Sequence, residues 1–575
     1  PPMNDSTSTA AAAMPPSRSS SSSFPARVVF PAPDLPSIAT MKVGRAAAEP
    51  AAAEPAGVSE ACSSARLHSP ARLRSSVSER MKRGASADET RTGLLSGMSA
   101  FLSLGSIFDV PHNYVSLTLL KDILVHMSQH TPLAESESDR ADVPRVVIVG
   151  GGFAGISAAR SLKKAKVRIT LIDKNPYSTF QPLLYQVATS TLNPGDITYY
   201  LRAIQAGQKN LRVELGEVTA MDHSARTVTV DGANAIPYDY LVVATGVAAN
   251  YFGIPGAQEN ALPLYTRGHA LDVRDRIQGL LDATAKRPGA KIRMVVVGGG
   301  PTGVETAGAL AEMRNKDVPV LFPEIGADGI EVVLIDMADR LLGPFDPKSS
   351  EYAKRALERR GVKLMFRTAV KEVRKDGALI APVGGGDEDF LEAAVVLWAS
   401  GVGVPEAVNS WGLPQNARGR ILVDDRLRAV GFPNVFAAGD VASMGERGLP
   451  QLAQPAKQTG RHIGKVIRAD LGEKKDPGAF KYKDLGIMAT IGRAAAVAEI
   501  KHFPRMKGFP GWMTWNMVHI ATLMGGRNRL ASMVNLGTKY VTWRKSHSLI
   551  VGDISDVSKV AGTEGKPLSV ARSLR

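Results

Sequence analysis

The chain has 575 residues and a formal net charge of +15, from 70 Lys and Arg residues against 55 Asp and Glu residues, and it is long enough for two or three domains. Its single cysteine, Cys62, excludes a disulfide framework, a Cys-x-x-Cys redox centre and an iron–sulfur cluster. No uninterrupted apolar stretch reaches about 18 residues, so the sequence predicts no transmembrane helix. Any electron transfer by this protein must therefore use a bound cofactor.

Residues 1–140 differ from the rest of the chain because Ser, Ala, Pro and Arg dominate them. Such a composition cannot bury enough apolar surface to fold alone. Segments that are rich in Arg and Ser and poor in acids are typical of organelle transit peptides. We therefore expect a targeting segment for the mitochondrion, or alternatively for a plastid. A disordered extension without an address is the competing interpretation.

Residues 145–174 have the pattern strand, glycine turn, helix and second strand. In the motif Gly150-x-Gly152-x-x-Gly155, the glycines permit a tight turn, close approach to a pyrophosphate, and close packing of helix on strand. The free N–H groups of the helix favour phosphate, and an acid at the end of the second strand can accept hydrogen bonds from ribose. The predicted dinucleotide contacts are Gly150, Gly152, Phe153, Ala154, Gly155, Asp173 and Lys174.

Residues 291–336 repeat this pattern with a second glycine motif, and we expect residues 314–329 within it to form an inserted loop. The acid of this unit is Asp336. A carboxylate here accepts a ribose 2′-hydroxyl and repels a 2′-phosphate, so the sequence predicts NADH rather than NADPH, a preference that Arg340 could soften. The predicted contacts are Gly298, Gly300, Pro301, Thr302, Gly303, Asp336 and Gly401.

Two short segments, YDYLVVATG (238–246) and NVFAAGDVA (434–442), are predicted strand ends. Together with the two glycine motifs, they make the chain resemble the two-dinucleotide flavoprotein reductases. In that family the first motif binds FAD, the middle domain binds the nicotinamide dinucleotide, and a Gly-Asp pair closes over the FAD. The resemblance therefore implies FAD contacts from Thr245, Gly246, Gly439 and Asp440.

The single cysteine narrows this resemblance. Disulfide reductases need a cysteine pair and sulfide:quinone reductases need redox cysteines, so neither fits. Over about residues 143–550 the chain resembles most specifically the type II, or alternative, NADH:quinone oxidoreductases, which do not pump protons. The motifs that carry this resemblance are GGGFAG (150–155), FQPLLYQVAT (180–189), GGGPTGVETAGALAE (298–312), AAGD (437–440) and AQPAKQ (453–458).

The segment AQPAKQ is similar to the quinone-site motif Ala-Gln-x-Ala-x-Gln of that family. The resemblance implies that Gln454 and Gln458 line the pocket where the quinone meets the flavin. Neutral amide donors suit this role because they can hold a quinone carbonyl without a buried charge. The alternative interpretation is a helix that starts near Pro455 and carries two solvated amides.

The resemblance also implies roles for Glu305 and Lys507. Family members have a glutamate after the second glycine motif that is implicated in the redox step, and a lysine near the quinone pocket. The alternative for Glu305 is a first-turn acid that the helix dipole favours, and the alternative for Lys507 is a solvated lysine.

The C-terminal region is basic, since residues 500–575 contain twelve Lys and Arg residues against three acids, a balance of +9. Within residues 528–543, a helix would place Leu530, Met533, Val534, Tyr540 and Val541 on one face, with Arg529, Ser532, Asn535 and Lys539 largely on another. Basic charge with neighbouring tryptophans is typical of an interfacial helix on an anionic membrane. A helix that packs on the core and a homodimer contact are the alternatives. We expect no nucleic-acid partner and no metal site.

The sequence thus predicts an α/β fold with two Rossmann-like domains, in which the FAD domain is interrupted by the NADH domain. The expected boundaries are 1–140 for the N-terminal extension, 141–267 and 401–480 for the FAD domain, 268–400 for the NADH domain, and 481–575 for a membrane-associating region. The predicted enzyme is peripheral to the mitochondrial inner membrane. The alternatives are a soluble reductase of an electron-carrier protein and a flavoprotein similar to apoptosis-inducing factor, whose main role is to bind partners.

Overall fold

The computed structural model describes residues 143–541, except for 288, 446 and 447. The predicted targeting segment at 1–140 and the chain beyond 541, including Trp543, therefore lie outside the described residues. None of the described helices combines the length and the apolar character needed to cross a membrane.

The first segment alternates strands and helices. In chain order its elements are β1 (Arg145–Val149), α1 (Phe153–Ser161), β2 (Arg168–Asp173), β3 (Tyr177–Thr179), α2 (Leu184–Ala188), β4 (Thr198–Tyr200), α3 (Leu201–Ala206), β5 (Leu211–Leu215), β6 (Val218–Asp222), β7 (Thr227–Val230), β8 (Asn234–Pro237) and β9 (Tyr240–Val243).

The middle segment repeats this alternation. Its elements are β10 (Ala248–Ala249), α4 (Ala257–Asn260), β11 (Leu262–Pro263), α5 (Arg267–Ala285), β12 (Ile292–Val297), α6 (Pro301–Glu312), α7 (Val318–Leu321), β13 (Ile330–Ile335), α8 (Pro347–Glu358), β14 (Val362–Met365), β15 (Thr368–Arg374), β16 (Gly377–Pro382), β17 (Asp389–Glu392), β18 (Val395–Trp398) and β19 (Val402–Gly403).

The last segment begins with short strands and ends with helices. Its elements are β20 (Ile421–Val423), β21 (Val435–Ala437), β22 (Ala442–Met444), α9 (Ala453–Asp470), β23 (Ile487–Gly492), β24 (Ala495–Glu499), β25 (Met506–Lys507), α10 (Phe509–Thr522) and α11 (Gly526–Val541).

Two parallel sheets of five strands organise these segments. The first has the order β21-β9-β1-β2-β5 and the second has the order β11-β18-β12-β13-β14. In each, the strand before the glycine turn lies in the middle, which places that turn at the point where the strand order reverses. In the chain, strand β21 of the first sheet follows every strand of the second sheet, so the two Rossmann-like units are nested as the sequence predicts.

The C-terminal antiparallel sheet β23-β24-β25 and the helices α10 and α11 pack on the second unit. Helix α11 also contacts the first segment, since Asn528 donates to the Thr198 carbonyl and Asn535 donates to Asp196 Oδ2, each over 2.6 Å. Trp515, Leu523 and Leu536 are buried in the same cluster as the apolar face of α6. The C-terminal region therefore contributes to the folded body and also brings side chains to the second dinucleotide unit.

The prediction of a loop at residues 314–329 is wrong in its first half. Helix α6 continues through a π-helical turn at Met313–Asp317 into α7, and a short 3₁₀ turn at Ala327–Gly329 follows. The helix continues because Met313 and Val318 are buried in the core of the second unit.

Candidate active site

The first glycine turn requires its glycines. Gly150 has a φ of 107°, and a Cβ at this residue would lie 2.4 Å from the carbonyl oxygen of Ala244. A Cβ on Gly155 would lie 1.9 Å from the carbonyl oxygen of Gly150. Nothing lies within 4 Å of the Cβ position of Gly152, which is the N-cap of α1. The turn is thus tightly packed at Gly150 and Gly155 and open at Gly152, as a bound pyrophosphate requires.

Asp173 fixes this turn from the end of β2. Its carboxylate accepts the Gly151 N–H over 2.6 Å and the Asn175 N–H over 2.7 Å. Burial raises the pKa of Asp173, and these backbone hydrogen bonds and Lys174 partly oppose the rise. The acid therefore holds the loop in place in addition to its predicted contact with ribose.

The Gly439-Asp440 pair is brought to the start of α1 by small residues on α9. A Cβ on Gly460 would lie 2.1 Å from the carbonyl oxygen of Ala154, so α9 lies directly against α1. The Gly439 N–H donates to Thr459 Oγ1 over 3.1 Å. These contacts gather both halves of the first unit at one edge of its sheet.

This edge has unused polar groups that fit FAD. Asp440 Oδ1 and Thr245 Oγ1 are buried and have no hydrogen-bond partner among the described residues. Burial raises the pKa of Asp440 to about 6, opposed by the charge of Arg420. Gly246, with a φ of 70°, continues the turn after Thr245. Buried groups of this kind usually have partners, and the hydroxyls and phosphates of a dinucleotide would supply them.

The second glycine turn repeats the first. Gly298 has a φ of 113°, and a Cβ on Gly303 would lie 1.7 Å from the Gly298 carbonyl oxygen. Asp336 accepts hydrogen bonds from the Gly299 N–H and, over 2.6 Å, from the Ala338 N–H. The residues required for a second dinucleotide are therefore in place.

The remaining residues predicted for this site lie around that turn. Gly300 is the N-cap of α6, with nothing within 4 Å of its Cβ position, and Pro301 and Thr302 form the first turn of the helix. Gly401 has a φ of 74° and lies against the ring of Phe252. Arg340 donates to the carbonyl of Gly343 over 2.7 Å and thereby folds back on its own loop.

Glu305 lies within α6, one turn further in than a first-turn acid, and is buried. Its Oε1 accepts hydrogen bonds from the Thr490 N–H over 3.3 Å and from Trp515 Nε1 over 3.2 Å. Burial raises the pKa of Glu305 to about 8, although both hydrogen bonds oppose the rise. The carboxyl can therefore carry a proton near neutral pH, which a solvated surface acid cannot do.

A series of aromatic rings links Glu305 to the first glycine turn. Trp515 stacks on His519 with a centroid distance of 4.0 Å, Phe180 lies 6.2 Å from His519, and Phe153 lies 5.7 Å from Phe180. Burial lowers the pKa of His519 to about 4, so this imidazole is neutral at physiological pH. Sequence reasoning did not assign Trp515 or His519 to the site, because the tryptophans near the basic C-terminal region, Trp515 among them, suggested membrane association instead.

The two glutamines of AQPAKQ have different surroundings. Gln454 lies in the first turn of α9 and makes no hydrogen bond within the described part of the chain. The amide of Gln458 donates to the Lys483 carbonyl over 2.9 Å and accepts the Lys483 N–H over 3.0 Å. Both polar atoms of Gln458 are thus engaged by the backbone, whereas those of Gln454 are available to a ligand.

Between them, the ammonium of Lys457 lies 5.0 Å from the centre of the Phe153 ring. The first turns of α9 and α1 therefore meet beside the first glycine turn. Lys507 lies at the end of the edge strand β25, exposed and without a salt bridge in the described structure. The structure does not bring Lys507 into contact with the glutamines. In the described residues, no group of three or more His, Cys, Asp or Glu side chains could hold a metal ion.

The fold and these two sites define a reductase with two dinucleotide-binding units, and comparisons with known proteins agree. The family model of pyridine nucleotide-disulphide oxidoreductases matches residues 144–460. The type II NADH:quinone oxidoreductase NdhA of Mycobacterium tuberculosis is 39% identical over 414 residues, which cover 69% of this chain and 87% of NdhA. The mitochondrial internal alternative NAD(P)H-ubiquinone oxidoreductase A1 of Arabidopsis thaliana is 30% identical over 443 residues, 70% of this chain and 85% of that protein.

A solved structure has the same fold. NDH2 from Plasmodium falciparum in complex with NADH has a TM-score of 0.65 at 21% identity, and the match covers 70% of this chain and 99% of that one. The chain belongs to the pyridine nucleotide-disulphide oxidoreductase family and, within it, to the type II NADH:quinone oxidoreductases. The family prediction from the sequence motifs is confirmed.

Proposed function

We propose that this protein oxidises NADH by means of bound FAD and reduces a membrane quinone to the quinol without pumping protons. The observation that carries the proposal is the position of Gln454, which lies in the first turn of α9 beside the FAD-binding edge. The same turn of α9 packs there, since a Cβ on Gly439 would lie 3.3 Å from Ala456 Cβ. A neutral donor at the flavin edge suits a quinone carbonyl.

The two dinucleotide sites would bind different cofactors. The glycine turn that ends at Gly155, together with Asp173, Thr245 and Asp440, would hold FAD, and the turn that ends at Gly303, with Asp336, would hold NADH. When bound, FAD accepts a hydride from NADH and supplies two electrons to the quinone. The protein orients both dinucleotides, and the acid Asp336 selects NADH because it repels a 2′-phosphate.

Proton supply is assigned to Glu305. Its buried carboxyl has a pKa of about 8 and lies on α6, the helix that follows the second glycine turn. We propose that it holds a proton close to the reacting groups, which a quinol needs for its formation. Gln458, whose amide is held by Lys483, would position the start of α9 rather than contact the quinone. The role of Lys507 at the quinone rests on the sequence resemblance alone.

Attachment to the membrane is supported by the orientation of α11. Ser532 and Asn528 are 0% and 5% exposed, whereas Leu530 and Val534 are 58% and 50% exposed. The helix therefore turns part of its polar face inward and leaves apolar side chains outside, the reverse of a surface helix in a soluble protein.

Neighbouring side chains support this orientation. On α10, Phe509, Met513 and Met517 are also exposed. The predicted membrane face is wrong at Tyr540, whose ring packs 4.9 Å from that of Trp512 because both side chains fill the gap between the two helices. We propose that the exposed apolar side chains of α10 and α11 rest in the lipid surface.

Localisation and domain limits complete the proposal. Relatives named as mitochondrial favour a mitochondrial enzyme, and we propose the inner membrane as its site, with a homodimer as its assembly. We also retain the domain boundaries 141–267, 268–400, 401–480 and 481–575, although strand β11 (Leu262–Pro263) before the second of these ranges already pairs with β18 in the second sheet.

The decisive experiment is NADH oxidation by detergent-solubilised protein, with and without a short-chain quinone. Rapid oxidation that requires the quinone is expected. Oxidation that depends on a soluble electron-carrier protein instead would identify a carrier reductase. Slow turnover with either acceptor, combined with tight partner or DNA binding, would indicate a flavoprotein similar to apoptosis-inducing factor.

A further inference from the structure

A cavity of about 750 Å³ lies between α1, α9 and the turn that joins α10 to α11. Eight Lys and Arg residues line it, including Arg468 and Arg529, and we name the other six the basic groove: Arg160, Lys457, Arg461, Lys465, Lys474 and Lys475. Four of these belong to two helices that pack side by side. The groove begins beside the Phe153 ring, against which Lys457 lies, and runs outward along α9.

The basic groove has no internal neutralisation. Among the described residues that line it, none is acidic. Its six named cations form no salt bridge with any described carboxylate, whereas the neighbouring Arg468 is paired with Glu473 over 3.1 Å. Burial, together with the charges of Arg160 and Arg461, lowers the pKa of Lys457. Like charges gathered around a concave surface raise the local concentration of anions.

Part of the cavity lining is apolar. Ile156 and Leu523 are buried, Phe153 and Met524 are partly buried, and all four line the cavity. Leu523 and Met524 belong to the turn between the helices whose exposed apolar side chains are proposed to rest in lipid. A ligand that fits must therefore combine a negative group with apolar chains on the side of the turn.

We propose that the basic groove binds the phosphate headgroup of one anionic phospholipid, whose acyl chains leave past the turn between α10 and α11. The inference rests on the proposed attachment of the enzyme to a membrane. Such a bound lipid would hold the end of the groove beside Phe153 and Lys457 against the bilayer from which the quinone arrives. A free phosphate compound shares the headgroup chemistry but lacks the acyl chains.

The test is native mass spectrometry of the detergent-solubilised holoenzyme with phosphatidylglycerol or phosphatidylcholine. We expect one retained phosphatidylglycerol and little phosphatidylcholine. The double variant Arg461→Gln/Lys465→Gln should weaken retention by about fivefold for each cation removed. The control Lys371→Gln/Lys375→Gln carries the same change of charge on exposed lysines of the second unit and should retain lipid like the native protein. Equal retention of both lipids, or unchanged retention by the groove variant, would overturn the inference.

Two further measurements complete the test. One separates a phospholipid from a soluble phosphate compound as the ligand, and the other separates the lipid site from the proposed membrane attachment. Glycerol 3-phosphate in excess should leave the lipid bound, and its displacement of the lipid at comparable concentration would identify a site for soluble phosphates instead. Flotation with phosphatidylcholine vesicles tests membrane attachment alone. If the protein binds vesicles but retains no phosphatidylglycerol, only the proposed lipid site in the basic groove is refuted. If the protein retains the lipid but does not bind vesicles, the proposed membrane attachment is refuted.

Discussion

Trp515 donates a hydrogen bond from its indole Nε1 to Glu305 Oε1 over 3.2 Å and so ties α10 to α6 across 210 residues of sequence. The same carboxyl oxygen accepts the Thr490 N–H of β23. One buried acid thus joins the second dinucleotide unit, the C-terminal sheet and the C-terminal helices. Its protonation is expected to affect both the stability of the fold and the supply of protons to the quinone.

The titration of Glu305 predicts how stability varies with pH. Because its pKa rises from 4.5 to about 8 on folding, the folded state holds more protons than the unfolded state between these values. The contribution of this group to the free energy of unfolding therefore falls as pH rises from 4.5 to about 8. The variant Glu305→Gln lacks this pH-dependent contribution to the free energy of unfolding. The Tm of the variant should therefore rise relative to that of the native protein as pH rises.

Thermal unfolding of the holoenzyme across this pH range measures the effect. The control Glu324→Gln replaces an exposed acid of the same unit and should follow the native curve. If the Tm of Glu305→Gln stays parallel to that of the native protein, Glu305 does not titrate in this range.

The two glutamines of AQPAKQ should give different defects. Gln454→Leu removes an available donor and should lower kcat/KM for the quinone by a few-fold to about a hundredfold, without slowing flavin reduction by NADH. Gln458→Leu breaks two hydrogen bonds to Lys483, so we expect a loss of stability of about 1–3 kcal/mol and a smaller kinetic effect. Stopped-flow measurement of both half-reactions, with Tm, checks this. Equal defects in the quinone half-reaction would show that Gln458 also contacts the substrate.

Replacement of Asp336 should change the choice of nicotinamide cofactor. Asp336→Ser removes a charge that repels the 2′-phosphate, and we expect kcat/KM for NADPH relative to NADH to rise about tenfold, or about 1.4 kcal/mol. Activity with both cofactors should fall, because the Gly299 and Ala338 N–H groups lose their acceptor. Asp339→Ser, an equal charge change on the same loop, is the control. A native preference for NADPH would refute the assignment.

The exposed apolar side chains of the C-terminal helices should control binding to lipid. Met517 and Val534 are 66% and 50% exposed, and Met517→Ser/Val534→Ser should weaken flotation with vesicles by roughly tenfold for each side chain that leaves the lipid. Met337→Ser/Val320→Ser is the matched control, because these side chains are 63% and 59% exposed on the second unit. If both pairs lower flotation equally, α10 and α11 are not the attachment surface.

The contact between α1 and α9 should be needed for FAD binding. In Gly460→Ala the new methyl group meets the Ala154 carbonyl oxygen 2.1 Å away, so α9 must move and we expect a loss of about 1–3 kcal/mol. FAD content, measured as the ratio of flavin to protein absorbance, should fall with it. Gly537→Ala on α11 has open space at the same position and should leave FAD content unchanged. Full FAD content in Gly460→Ala would show that the contact is dispensable.

The sequence by itself determined the features that depend on local spacing. The glycine turns at Gly150 and Gly298, with Asp173 and Asp336 at the ends of the next strands, follow from steric limits and strand periodicity, which act over a few tens of residues. The α/β class and the nested order of the two units follow from these patterns. The interpretation of AQPAKQ as a quinone-site motif came from the resemblance to a family.

Tertiary structure alone decided which side chains have partners. Equal spacing on α9 makes Gln454 and Gln458 equivalent, but the backbone of Lys483 engages only Gln458. The indole of Trp515 suggested a membrane anchor, yet it is buried against Glu305 because the C-terminal helices fold back onto the second unit. Burial, pKa and hydrogen bonding depend on contacts between segments far apart in the chain, and no local pattern records those contacts.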